Sequence, residues 1–117
     1  MPDPVSRAYE RGLDLIEDGE YFAAHEALEE AWRAAATDER DFFQGLVHVA
    51  VAWHHADVTG RELACERQLE KAARRLAAYR PRHRGLDVAD VLGQVARARE
   101  AFPALSRPRF RRTRTHD

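Results

Sequence analysis

The run Phe42-Phe43-Gln44-Gly45-Leu46-Val47-His48-Val49-Ala50-Val51-Ala52-Trp53-His54-His55 constrains the fold more than any other stretch. It continues without proline to about Val58, too long for an ordinary strand, so length favours a helix. Helical spacing puts Phe43, Leu46, Val47, Ala50 and Trp53 on one side and Phe42, Val49 and Ala52 on another. A helix that is apolar on most of its circumference must be covered on most of its faces. The prediction is a buried central helix over about residues 38–58. Gln44, His48, His54 and His55 interrupt the run, and it falls short of the roughly 20 apolar residues that cross a bilayer, so no membrane partner is expected. Gly45 costs roughly 1 kcal/mol against alanine in a helix interior. The expected return is the close approach of a neighbouring helix. Gln44, His48 and His55 follow one line at i, i+4 and i+11. Buried polar groups need partners, so another helix should present polar groups to that line.

The rest of the chain supplies the helices that could cover it. Asp3-Pro4 reads as an N-cap followed by a proline in the first turn, and Val5, Tyr9, Leu13 and Ile16 form an apolar stripe that Gly19 ends. A second helix is predicted from about Glu20 to Ala36, with Phe22, His25, Glu29 and Trp32 on its inward seam. Asp38, with Asp41, is the expected cap of the central helix. Thr59-x-x-Glu62 reads as a capping box opening a fourth helix along Cys65, Leu69, Ala72, Leu76 and Tyr79. Pro81 and Gly85 break that helix. Asp87 then caps a fifth, with Val88, Val91, Leu92, Val95 and Phe102 inward, and Pro103 stops it. The expected fold is all-α: one bundle of about five helices over residues 1–102, and a mobile basic tail over 103–117.

A chain of 117 residues suffices for one core. The single cysteine, Cys65, excludes an intramolecular disulfide and fits a reducing compartment. With Met1-Pro2-Asp3-Pro4 neither basic nor apolar, a cytoplasmic location is the expectation. The net charge of -1 conceals an asymmetry: residues 1–66 carry fifteen acidic and five basic groups, residues 67–117 five acidic and fourteen basic. Such a chain neutralises itself across the bundle or between subunits, which makes a homo-oligomer one expectation. The sharper alternative is nucleic acid held by Arg107, Arg109, Arg111, Arg112 and Arg114, since phosphate binding requires clustered cations.

The polar residues on inward faces are the candidate site. His25 and Glu29 lie one turn apart, and a carboxylate there can accept a ring N–H. Glu26 flanks them. If the second and central helices pack face to face, this pair meets Gln44 and His48. Three readings stand. The cluster is a hydrogen-bond network that fixes helix register. Alternatively, His25, Glu29 and His48 ligate a divalent metal, as histidine–carboxylate sets on facing helices do, in a hydrolase-like enzyme. Or Glu29 or His25 acts as a general acid–base, although no nucleophile stands beside them.

The combination Gly19-Glu20-Tyr21-Phe22-x-x-His25-Glu26-x-Leu28-Glu29-x-x-Trp32, followed by Phe43-Gln44-Gly45-Leu46-Val47-x-x-Ala50-x-Ala52-x-His54, resembles a bacterial and archaeal family of small helical proteins known as domain of unknown function 309. The resemblance covers about Leu13 to Leu76. It implies a compact helical bundle in which His25, Glu26, Glu29, Trp32, Gln44 and Gly45 match characteristic positions, with His48 standing where relatives often have glutamine. It implies no particular reaction or substrate. The Arg-rich tail lies outside it.

Overall fold

A computed structural model describes residues 3–113. Its helices are α1 (Pro4–Glu17), α2 (Tyr21–Ala34), α3 (Arg40–His54), α4 (Glu62–Leu76) and α5 (Val88–Ala101). Between α4 and α5 lies a two-stranded antiparallel hairpin, β1 (Arg82–His83) with β2 (Leu86–Asp87), in the register Arg82 opposite Asp87. The expected all-α bundle is therefore present. Successive helices pack side by side, and α3 lies between α2 and α4.

The central helix is the core. Ten of its residues are buried, from Phe42 to Trp53. Phe42 and Phe43 stand edge to face, and Tyr9 of α1 packs against both rings, 5.7 and 5.8 Å away. Gly45 has the predicted use: a Cβ there would sit 2.7 Å from Leu76 Cγ of α4. A second close approach had no counterpart in the sequence reading. At Gly12 of α1, a Cβ would meet Leu28 Cγ of α2 at 2.5 Å.

Several local expectations hold. Asp3 accepts the Ser6 N–H at 2.8 Å and caps α1; Asp87 accepts the Asp90 N–H at 2.9 Å and caps α5. Gly19 ends α1 with φ +80°. Cys65, Leu69, Ala72 and Leu76 are the buried line of α4. Two caps are otherwise. Glu39 precedes α3 without a capping bond, because its carboxylate is held by Arg84 and His83 from the hairpin. Thr59 makes no capping box with Glu62. Its hydroxyl bonds back to the His55 carbonyl at 3.2 Å, closing a wide helical turn over His55–Thr59 before α4 starts.

The second helix is rotated from its predicted seam. Tyr21, Ala24, Ala27, Leu28 and Ala31 are buried, whereas Phe22 is 62% exposed. Alanine on the inward face lets the backbones of α1 and α3 come close, with Leu28 seated over Gly12. The larger rings at positions 22 and 32 are displaced to the flanks, where Trp32 lies under the Arg40 guanidinium, 4.5 Å from the ring centroid.

The expected free tail is corrected over residues 104–113. Beyond α5 the chain returns as an extended strap across the bundle. The Trp53 indole N–H donates to the Ser106 carbonyl at 2.9 Å. The Gln94 amide grips both sides of the Arg109 peptide, donating to its carbonyl and accepting its N–H at 3.0 Å. The Asp87 N–H bonds the Arg111 carbonyl, and Leu86 bridges to Arg112. Pro108 and Phe110 are buried, Arg107, Arg109 and Arg111 exposed, the alternation of an extended segment with one face on a core. Arg114 lies outside the described residues.

Candidate functional site

The five sequence-predicted residues do not converge. His25 Nε2 lies 3.3 Å from Glu29 Oε2, so that pair forms as expected, but the two side chains retain 27% and 38% of their exposure on the flank of α2. Glu26 points to solvent. His48 faces away from this pair and into the α3–α4 interface, where its Nδ1 lies 2.7 Å from Gln68 Oε1. Gln44 is half-buried and makes no hydrogen bond among the described residues. The shared buried cluster is therefore corrected into two separate features. The cause is the rotation of α2: the face it turns to α3 is alanine and leucine, and the imidazole–carboxylate pair follows Phe22 outward.

His48 is buried, at 9% exposure. With a carboxamide oxygen facing it, Nδ1 carries the ring proton. Nε2 is buried without a hydrogen-bond partner. Burial pushes the His48 pKa down, opposed by the Gln68 bond and reinforced by Arg75, Lys71 and Arg74. A neutral imidazole thus stands as a packing and register element between α3 and α4. Among the described residues no three of His, Cys, Asp and Glu are grouped as a metal ion would require. Cys65 is buried at the α4 interface, and burial raises its thiol pKa, which leaves it unreactive.

What the rotation of α2 does build is a cleft. A cavity of about 220 Å3 opens between the start of α2 and the end of α3, lined by Tyr21, Phe22, His25, Val51, His54 and His55. Phe22 stands 5.9 Å from the His25 ring and 6.4 Å from the His54 ring, and His54 lies 6.0 Å from His55. The wide turn after α3 matters here. It carries His55 onto Thr59 Oγ1 at 3.0 Å, so adjacent histidines, which an α-helix would splay by about 100°, both border one cavity. The pKa of His55 is lowered, first by burial and then by His54 and Arg61. His54 makes no hydrogen bond among the described residues. The cleft therefore offers aromatic and aliphatic walls and three imidazoles: His54 uncommitted, His25 beside Glu29, and His55 held by Thr59.

The sequence model of the family described as Domain of unknown function (DUF309) matches residues 9–64. Over this segment the chain is similar to that family. The DUF309 segment runs from Tyr9 to the first turn of α4, so it contains every residue of the cleft. Gln68, α5 and the strap fall outside it. No curated protein matches the chain. No helix among the described residues is long and apolar enough to cross a membrane.

Sequence reasoning missed two ion-pair clusters, one holding the strap and one holding the hairpin. The side chain of Arg112, 4% exposed, reaches Glu10, Asp14 and Glu17 of α1, with Glu10 Oε1 at 3.5 Å and Glu17 Oε1 at 3.2 Å. Those three carboxylates sit at i, i+4 and i+7, a spacing visible in the sequence as an acidic stripe that needs a cation. Glu39 is the other missed group. Arg84 and His83 hold its carboxylate below the usual range, chiefly through the Arg84 hydrogen bonds. Both clusters join the acidic first half of the chain to the basic second half, as the charge asymmetry led one to expect.

Proposed function

We propose that this protein is a small-ligand-binding module whose working surface is the Phe22–His25–His54–His55 cleft. The observation that carries the reading is the combination of an exposed Phe22 ring with three imidazoles around a cavity of about 220 Å3. That volume lies below the roughly 300–1,000 Å3 of sites for drug-sized molecules, so it suits a single aromatic ring or branched aliphatic group. Polar substituents on such a group find hydrogen-bond partners in His54 and in His25, whose ring Glu29 orients. A metal-dependent hydrolase receives no support from this geometry, because His48 is turned to Gln68 and away from His25 and Glu29.

The test is a titration of 15N-labelled protein with indole, phenol and benzoate. Shifts concentrated on Phe22, His25, Val51, His54 and His55 are expected, weakened in Phe22→Ala and His54→Ala. Scattered shifts, or shifts indifferent to both substitutions, would refute the assignment. Exposed Phe22 and Val58 also supply the one observation favouring a second copy of the chain as occupant. Sedimentation of wild type and Phe22→Ser separates the two: self-association abolished by Phe22→Ser reassigns the surface to a protein partner.

A further inference from the structure

A second concavity lies on the other side of Trp53, between α5 and the strap, with a volume of about 680 Å3. Four guanidinium groups border it, from Arg97, Arg107, Arg109 and Arg111, against two carboxylates, Glu17 and Asp90. Both carboxylates are already engaged. Glu17 accepts the Phe110 N–H at 2.8 Å and the Arg112 guanidinium at 3.2 Å, and Asp90 accepts the Gln94 amide at 2.9 Å. Arg107 is partly committed too, since it bonds the Tyr21 hydroxyl and lies over Gly19. Arg97, Arg109 and Arg111 are different. They are exposed and make no ion pair or side-chain hydrogen bond among the described residues.

The backbone that presents them is fixed. The Gln94 clamp holds Arg109, the Phe110 ring is buried, and the Arg111 carbonyl is bonded to Asp87 N–H. Alternation along the strap then puts Arg109 and Arg111 on one side, roughly 7 Å apart, as residues i and i+2 of an extended chain stand. Arg97 faces them from α5. Three guanidiniums around one concavity repel one another, and an anion with several oxygens relieves that repulsion while accepting paired N–H bonds from each fork.

We infer that this groove binds a di- or triphosphate group. Its volume is that of a small-molecule site. A single-stranded nucleic acid fits less well, because base stacking needs exposed aromatic faces, and the two rings here, Trp53 and Phe110, are both buried. The inference is independent of the cleft at Phe22, which lies on another face of α3.

Calorimetric titration of the full chain with inorganic tripolyphosphate at low salt is the experiment, with pyrophosphate, inorganic phosphate and a single-stranded oligonucleotide as further arms. Tripolyphosphate should bind more tightly than phosphate and lose affinity as salt rises. Arg109→Ala/Arg111→Ala should weaken it about tenfold or more, as loss of charge-assisted hydrogen bonds does, without lowering the unliganded melting temperature. Arg74→Ala, on α4, should bind as wild type does. Absence of heat at millimolar tripolyphosphate overturns the inference, as does a double variant that binds undiminished. Tighter binding of the oligonucleotide than of tripolyphosphate overturns it in favour of a nucleic-acid surface.

Discussion

Replacing Arg112 tests how the strap is held. Its guanidinium is buried among Glu10, Asp14 and Glu17, so Arg112→Met removes the cation while keeping most of the side-chain volume. Breaking a fully buried ion pair costs about 3–5 kcal/mol. Here Asp14 and Glu17 keep 42% and 30% of their side-chain exposure, so water screens part of the loss and about 2–3 kcal/mol is expected. For a chain of this size that lowers the melting temperature by about 8–12 °C. Urea unfolding followed by tryptophan fluorescence measures it, since Trp53 lies beneath the strap and donates to Ser106. Arg112→Lys should recover part of the stability, because an ammonium restores charge without the fork. Combining Arg112→Met with Glu10→Gln, Asp14→Asn and Glu17→Gln should cost less than Arg112→Met alone, since the carboxylates are then no longer charged neighbours. A loss under about 0.5 kcal/mol in Arg112→Met would refute the reasoning, because that is the range of ordinary surface substitutions.

Gly12→Ala should destabilise by about 1–2 kcal/mol, because overpacking against Leu28 outweighs the gain in helix propensity. Gly93→Ala on α5, whose nearest obstacle is the end of Arg97 at 3.4 Å, should stabilise by up to about 1 kcal/mol; equal effects at the two positions in thermal unfolding would contradict the packing argument. His48 has a depressed folded-state pKa, so its contribution is complete above the unfolded value near 6.5 and is lost as pH falls through the folded value. Stability measured at pH 7 and pH 5 should accordingly fall less in His48→Gln than in wild type, and an unchanged difference would show that His48 is not the group responsible. His25→Ala should cost less than about 1 kcal/mol, as the loss of a half-exposed pair does; a cost of several kcal/mol in chemical denaturation would restore His25 to the core.

The parts of the fold that were legible in the sequence are those where one residue's chemistry decides its surroundings. Asp3 and Asp87 sit where a carboxylate satisfies a free helical N–H, Gly19 where φ must be positive, and Gly45 where a neighbouring leucine takes the space of a Cβ. The apolar stripes of α1, α4 and α5 are dominated by large side chains, so their periodicity names the buried face. In α2 the same logic failed, since Ala24, Ala27 and Ala31 contribute little hydrophobicity each yet let neighbouring helices come close. Weighing ring size put Phe22 and Trp32 inside, and His25 and Glu29 went with them. The lesson is geometric: where one candidate face is alanine and a facing helix carries glycine, as Gly12 does, close approach can win over the area that large rings would bury.

The strap was illegible for a different reason. Its period of two runs through Arg107 to Thr113, but the inward positions hold Pro108, Phe110 and Arg112, and an arginine at an inward position cancels the hydrophobic alternation that marks a strand. Only the acidic stripe of α1, some 95 residues away in sequence, makes Arg112 an interior residue. The consequence reaches function. Once Arg112 is spent on α1 and Gln94 has fixed the Arg109 peptide, Arg109 and Arg111 are left on a rigid edge as cations that make no ion pair among the described residues. The charge asymmetry therefore has two uses, folding the second half of the chain onto the first and leaving an uncompensated remainder facing the groove beside α5. If the asymmetry served folding alone, neutralising that remainder would cost stability. With both uses, Arg109→Gln/Arg111→Gln should instead raise stability slightly in the absence of polyanion, by a few tenths of a kcal/mol, while abolishing the stabilisation that tripolyphosphate gives wild type.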